Sequence, residues 1–291
     1  MNSARTVGSA SAFAAAVEGW RHELSGLTGP RSLSTGFGDL DDLLFGLRPG
    51  RLYIVGGRPG AGTSALVLGM ASTALESGRT VLLRSLDTAA DDIVLRLIAR
   101  EARVSLPDIQ TRNLEPDDWA SWRRLYAATD RVAEFPLVID DGGDGSEDLV
   151  KQVRFLVEER GNLGLVVVDD LQRLTLMERR STVAAGGVRS VLQRLRVVAR
   201  DADVPVIACA QSVLPTRRKD LVRPPEIGDL RDADAIASNA DVILLLAATE
   251  AGQGPGLVQL EVAKNRNGHT GKVTLAFLDH LLRFASVAWP A

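Results

Sequence analysis

The sequence predicts an α/β fold, in which a mainly parallel central sheet is flanked by helices and ends in an antiparallel C-terminal hairpin. Three observations carry this reading. Short, unbroken apolar runs recur along the chain, as strands covered on both faces require. Longer segments of helical period separate them, so strand and helix alternate, and parallel pairing with right-handed crossovers follows. Near the C-terminus, two alternating runs flank a glycine turn.

Taken in order, residues 1–30 are rich in Ala, Ser and Gly, hold one short helical patch at 13–24 and end in the breaker pair Gly29-Pro30. They are expected to form a tether or docking helix outside a single domain that spans 31–291. Within that domain the apolar runs 52–55, 80–85, 137–140, 165–169, 204–208 and 242–246 read as strands. Helical periods occupy 63–77, 89–102, 117–129, 146–160 and 186–201, and Trp119 and Trp122 are expected to sit in a helix core. The runs 258–263 and 273–277 form the expected hairpin at one sheet edge.

Composition narrows the classes of function. A length of 291 residues with 45% hydrophobic content supports a substantial core. The apolar runs fall well short of the roughly 18–20 residues of a membrane span, and Glu18 and Arg21 interrupt the N-terminal stretch too early for a secretory signal. The lone Cys209 and three histidines argue against a disulfide framework or a cysteine-rich zinc site, and a reducing cytoplasm is the expected setting. With a net charge of −3, any nucleic-acid contact has to be local. The densest basic stretch is Arg217, Arg218 and Lys219, with Arg223 nearby.

The run 52–55 leads into Gly57-Arg58-Pro59-Gly60-Ala61-Gly62-Thr63-Ser64 and then directly into a helical stretch. This is the phosphate-loop frame G-x-x-x-x-G-K-[ST] in its strand–loop–helix context, with Thr63 at the lysine position. Its glycines let backbone N–H groups curl around phosphate at the positive end of a helix, and Ser64 is placed to ligate Mg²⁺. Replacing lysine by threonine removes a charge interaction worth about 4 kcal/mol for a pair about 4 Å apart at an effective dielectric of roughly 20. Nucleotide binding is therefore expected to weaken and hydrolysis to weaken more, since charge on the γ-phosphoryl oxygens must be stabilised in the transition state. Arg58 could compensate only by leaning in, whereas an arginine at this loop position usually faces away.

Leu165-Val166-Val167-Val168-Asp169-Asp170 has the Walker B pattern, in which a buried strand delivers a carboxylate next to the phosphate loop, so Asp169 is expected to hold Mg²⁺. Asp87, in Ser85-Leu86-Asp87, is either the group that polarises the attacking water or a loop cap. Gln211 ends another apolar strand as either a γ-phosphate sensor or a plain surface amide.

These residues together resemble the C-terminal motor domain of DnaB-type replicative helicases, a RecA-like P-loop fold. The resemblance runs from Ser34 to about Phe284. It is carried by Ser34-Thr35-Gly36-Phe37, the Arg58-Pro59 loop, Ser85-Leu86-Asp87, Asp118-Trp119, Asp169-Asp170-Leu171-Gln172, Asp229-Leu230-Arg231 and Lys264-Asn265-Arg266-Asn267-Gly268. It implies a hexameric ring around one DNA strand, with nucleotide between neighbours. Lys264 and Arg266 match the basic pair that reaches the γ-phosphate of the next subunit. Arg217, Arg218, Lys219 and Arg231 fall on loops facing the channel, although a solvated basic loop is the plainer reading of the first three.

The departures from the pattern are Thr63, Asp87 in place of a longer glutamate, and Asp234 in place of a glycine that approaches the DNA phosphates. The family's N-terminal helical domain, which binds primase and organises the ring, is expected to be lacking. Two functional readings follow: an ATP-dependent DNA helicase or translocase with impaired hydrolysis, or a non-catalytic scaffold that assembles with itself, an intact helicase or another protein.

Overall fold

The computed structural model describes residues 32–142, 145–180, 187–213, 223–248 and 256–287, together with Ala14, Val17, Glu18 and Arg21. The first half runs α1 (Gly38–Leu44), β1 (Leu52–Gly57), α2 (Thr63–Glu76), β2 (Thr80–Ser85), α3 (Ala90–Ala102), α4 (Leu106–Thr111), α5 (Trp119–Ala133) and β3 (Leu137–Asp140). The second half runs α6 (Ser146–Arg160), β4 (Leu163–Asp169), α7 (Leu171–Arg180), α8 (Gly187–Ala202), β5 (Val206–Gln211), α9 (Ala233–Asn239), β6 (Val242–Ala248), β7 (Leu257–Asn265), β8 (Gly271–Leu278) and β9 (Arg283–Ser286).

One nine-stranded sheet, ordered β3-β2-β4-β5-β1-β6-β7-β8-β9, divides the molecule into layers. β1 to β6 pair in parallel, and β7, β8 and β9 add antiparallel strands at one edge. Alternation within each central strand explains the unbroken apolar runs. Tyr53 and Val55 of β1 enter one core with Leu66, Met70 and Leu97, while Leu52 and Ile54 enter a second core with Leu149, Leu171 and Leu192. A smaller cluster of Ala102, Val104, Leu125 and Ala128 joins α3 and α5.

The predicted class and the hairpin at the sheet edge match this architecture. The structure adds α1, α4, α7, α9 and β9, which the sequence reading passed over. Each, at four to ten residues, is shorter than the roughly 11–18-residue window over which a period is counted. β5 starts at Val206 and not at 204, because the Val204 N–H closes the end of α8 by donating to the Ala199 carbonyl, and Pro205 follows. The reading of Trp119 as a core residue is overturned. α5 buries Ser121, Leu125 and Ala128, and Trp119 lies off that stripe at 76% exposure. Trp122 does pack against the third cluster.

Buried ion pairs tie the helices to the sheet. Arg84 on β2 is fully buried and donates to Asp140, to Asp148 and to the Gly145 carbonyl, joining β3 and α6. Among the described residues, no helix is long and apolar enough to cross a membrane.

Candidate functional site

Parallel strands all present their C-terminal ends at one edge of a sheet, which is where ligands bind in such folds. Here the register brings four of the predicted residues to that edge. Gly57 of β1 pairs with Gln211 of β5, and Ser85 of β2 pairs with Asp169 of β4. Asp87 follows two residues after Ser85.

The phosphate loop leaves Gly57 and turns through an Ala61 N–H to Arg58 carbonyl bond of 3.0 Å. Gly60 has φ +81° and nothing within 4 Å of where a Cβ would project, so the loop is open at that point. Gly62, at φ +95°, caps α2, and Phe277 and Phe284, stacked behind it, would meet a Cβ at 3.0 Å. Gly57 is as tightly required, since its Cβ would come within 2.8 Å of Thr63 Cγ2. The first intrahelical bond of α2 runs from Leu66 N–H to Gly62 carbonyl, so the N–H groups of Thr63, Ser64 and Ala65 have no intrahelical acceptor, and no side chain caps them. Such a glycine-walled cradle of free donors fits the phosphates of ATP.

A hydroxyl, a thiol and a carboxyl adjoin it. The Ser64 hydroxyl and the Cys209 thiol both hydrogen-bond the Asp169 carboxyl. Burial pushes this carboxyl above the ordinary aspartate range, against those two hydrogen bonds, and the Cys209 thiol is itself pushed well up by burial and by Asp169. Among the described residues there is no cluster of three or more metal-ligating side chains. One hydroxyl and one carboxylate are nevertheless the protein share that Mg²⁺ takes when phosphate and water complete its shell.

Two cations that the sequence reading missed stand here. Arg96 on α3 lines the cleft with Ser64, Ser85 and Asp169, and its charge favours ionised Asp169. The helical period sets Arg96 on the same side of α3 as apolar Ile93, but not which residues that side meets. Arg173 on α7 pairs with Asp87. Gln211 is held in a network, its side-chain amide donating to Asp170 and its N–H to Gln172 Oε1 at 3.1 Å. Asp170 also caps α7 through the Arg173 N–H at 2.7 Å.

Other predicted residues lie elsewhere. Arg58 donates from Nη2 to the Arg223 carbonyl at 3.0 Å. Arg223, counted in the basic stretch, grips the Asp229 carboxylate with two bonds of 2.7 Å, holding that carboxyl below the usual range. Arg231 is exposed beyond this corner, and its N–H donates to the Gln211 carbonyl at 3.0 Å. Arg217, Arg218 and Lys219 lie outside the described residues. Pro59 is exposed at the loop's outer turn.

Lys264 and Arg266 are at the opposite edge of the sheet from the cradle. Lys264 Nζ donates to the Ala237 and Ala240 carbonyls at 2.8 and 2.6 Å, and burial lowers its pKa. Arg266 lies one residue beyond β7, with Nη1 3.7 Å from Asp241, whose carboxylate also accepts the Leu52 N–H at the start of β1. Both therefore sit about one strand length, roughly 17 Å, from this chain's own phosphate loop.

Comparison with known proteins agrees with this geometry. The family model described as DnaB-like helicase C terminal domain matches residues 32–286. The replicative DNA helicase DnaB of Leifsonia xyli subsp. xyli is 32% identical over 278 residues, covering 94% of this chain and 59% of the relative. That of Geobacillus stearothermophilus is 29% identical over 262 residues, covering 88% and 56%. The chain thus spans less than two thirds of the length of these relatives. Among solved structures, one described as an ATPase domain superposes with a TM-score of 0.80 at 22% identity, covering 94% of this chain and 98% of that one. A DnaB-like replicative helicase, solved in a study of its interactions with primase, gives 0.81 at 23% identity, covering 94% and 66%. At these identities the two structures speak for the fold alone.

Proposed function

Since the chain belongs to the DnaB-like helicase C-terminal domain family, we propose that it is an ATP-binding member of the DNA helicase or translocase class whose hydrolysis is impaired. The observation that carries this reading is the meeting of Ser64 and Asp169 beside an open glycine cradle in which Thr63 stands where a lysine would be. In that arrangement the N–H groups opening α2 would hold the phosphates, and Ser64 and Asp169 would hold Mg²⁺, whose charge would then fall on the phosphate oxygens. Arg96 lines the cleft and is the candidate replacement for the missing lysine charge.

The position of Lys264 and Arg266, far from their own cradle, supports action on a neighbour's nucleotide and so a homo-oligomer, as in a hexameric ring. Arg231 with Arg217, Arg218 and Lys219 is the proposed contact for single-stranded DNA. Asp234, exposed in the first turn of α9, weakens that contact by repulsion.

One observation favours the second reading, a nucleotide-responsive scaffold that assembles with itself, an intact helicase or another protein. Arg173 engages Asp87, the candidate for activating water, so that carboxylate is occupied by a cation of its own chain and not turned to a water. ATPase assays with single-stranded DNA separate the two. Slow wild-type turnover that Asp169→Asn abolishes and Thr63→Lys raises by at least about tenfold supports the enzyme. A silent wild type that binds ATP in calorimetry, and stays silent as Thr63→Lys, leaves the scaffold. No ATP binding at all sinks both readings of the cradle.

A further inference from the structure

A second cavity, of about 600 Å³, lies towards the far end of α2, away from the phosphate loop. Its wall combines the C-terminal parts of α2, α3 and α5 with β9. Four guanidinium groups line it, those of Arg100, Arg103, Arg131 and Arg283, against two carboxylates, Glu76 and Glu101. Four positive and two negative charges leave an excess of two positive. Glu101 is already engaged, accepting from Ser72 Oγ at 3.0 Å and from Arg131 Nη1 at 3.4 Å. Among the described residues, Arg103 and Arg283 form no ion pair, and Arg100 Nη1 is shielded from solvent without an acceptor.

The chain accommodates this crowding by construction. Arg100 lies on Gly69 in the middle of α2, where a Cβ would stand 3.1 Å from both terminal nitrogens, so a side chain there would displace the guanidinium. Burial and the neighbouring Arg283 both act against the charge of Arg100. Cations held together in this way call for an anion, and the planar guanidinium fork matches phosphate oxygens two at a time.

We propose that this cavity is a second anion site that takes the diphosphate group of a small molecule. The two excess positive charges suit a diphosphate. The aromatic rings of the wall, Phe37 and Phe284, are only 3% and 2% exposed and offer no face to a base, so phosphate is what is read. The site is separate from the nucleotide cradle, since Thr73 in its wall is ten residues along α2 from Thr63, about 15 Å on the helix axis.

The test is calorimetric titration of inorganic pyrophosphate and of ADP into the full chain in the presence of a chelator, repeated in Thr63→Glu, which sets a carboxylate in the cradle. Binding of either compound should survive Thr63→Glu and weaken by about tenfold or more in the double variant Arg103→Gln, Arg131→Gln, as expected for lost charge-assisted bonds. Pyrophosphate binding as tightly as ADP or tighter points to free diphosphate, and tighter ADP to a diphosphate carried on a ribose; both support the site. Arg283→Gln provides the same reading should the double variant lose its cooperative melting. The proposal is overturned if Thr63→Glu abolishes all binding, if the arginine variants bind as wild type, or if only a single-stranded oligonucleotide binds there.

Discussion

Burial pushes the Asp169 carboxyl upward while Ser64, Cys209 and Arg96 favour its charged form, so the folded apo protein holds a proton there to higher pH than the unfolded chain does. With more protons bound in the folded state, stability falls as pH rises from the ordinary aspartate range through the raised folded value. Ionised Asp169 is therefore destabilising at neutral pH in the absence of a cation. Asp169→Asn should melt higher than wild type at pH 7 without Mg²⁺, and the gap should close below the ordinary aspartate range, as followed by thermal denaturation. A variant that melts lower at pH 7 would show that the hydrogen bonds outweigh the burial. The same physics explains why a divalent cation suits the site, since it replaces the proton with a stronger countercharge.

At the scale of elements, α9 depends on a strand that is distant in sequence. It has only seven residues, and the carbonyls of Ala237 and Ala240 at its C-terminal end are satisfied by Lys264 of β7. A cation at that end also complements the helix dipole. Lys264→Ala should lower unfolding free energy by about 1–3 kcal/mol, whatever it does to activity, because two carbonyls lose a charged donor. Chemical denaturation of the isolated variant measures this. An unchanged midpoint would mean that the lysine is free to extend towards a neighbour at no structural cost. α6, α7 and α8 are joined in a similar way, with Glu178 accepting from the Ser146 N–H at 2.7 Å and from Arg194 at 2.8 Å.

For the whole molecule, the decisive feature is that the cradle and the basic pair occupy opposite edges of one sheet. A fold that places them a strand apart keeps these cations from its own cradle, whereas identical copies packed head to tail would bring them to a neighbour's, in a ring where the rotation closes. Sedimentation of wild type with Mg²⁺ and ATP should show an assembly that Arg266→Ala weakens by about tenfold or more in midpoint concentration, as for loss of a charged contact across an interface. A wild type that stays monomeric under every nucleotide condition removes the neighbour from the mechanism.

The sequence alone determined the α/β class, the strands as far as the C-terminal hairpin, the glycine-rich loop with its threonine, and the place of Asp169 at a strand end. Each of these is a local signal, written as a continuous apolar run, a glycine spacing or an acid at a strand end. Tertiary structure alone decided which charges meet. That Arg173 holds Asp87, that Arg96 faces Ser64 and Asp169, and that Arg223 is spent on Asp229 depends on packing between elements that no sequence spacing records. The four-arginine cavity and the exposure of Trp119 belong here too, because a helical period gives the faces of a helix but not which face the rest of the chain covers.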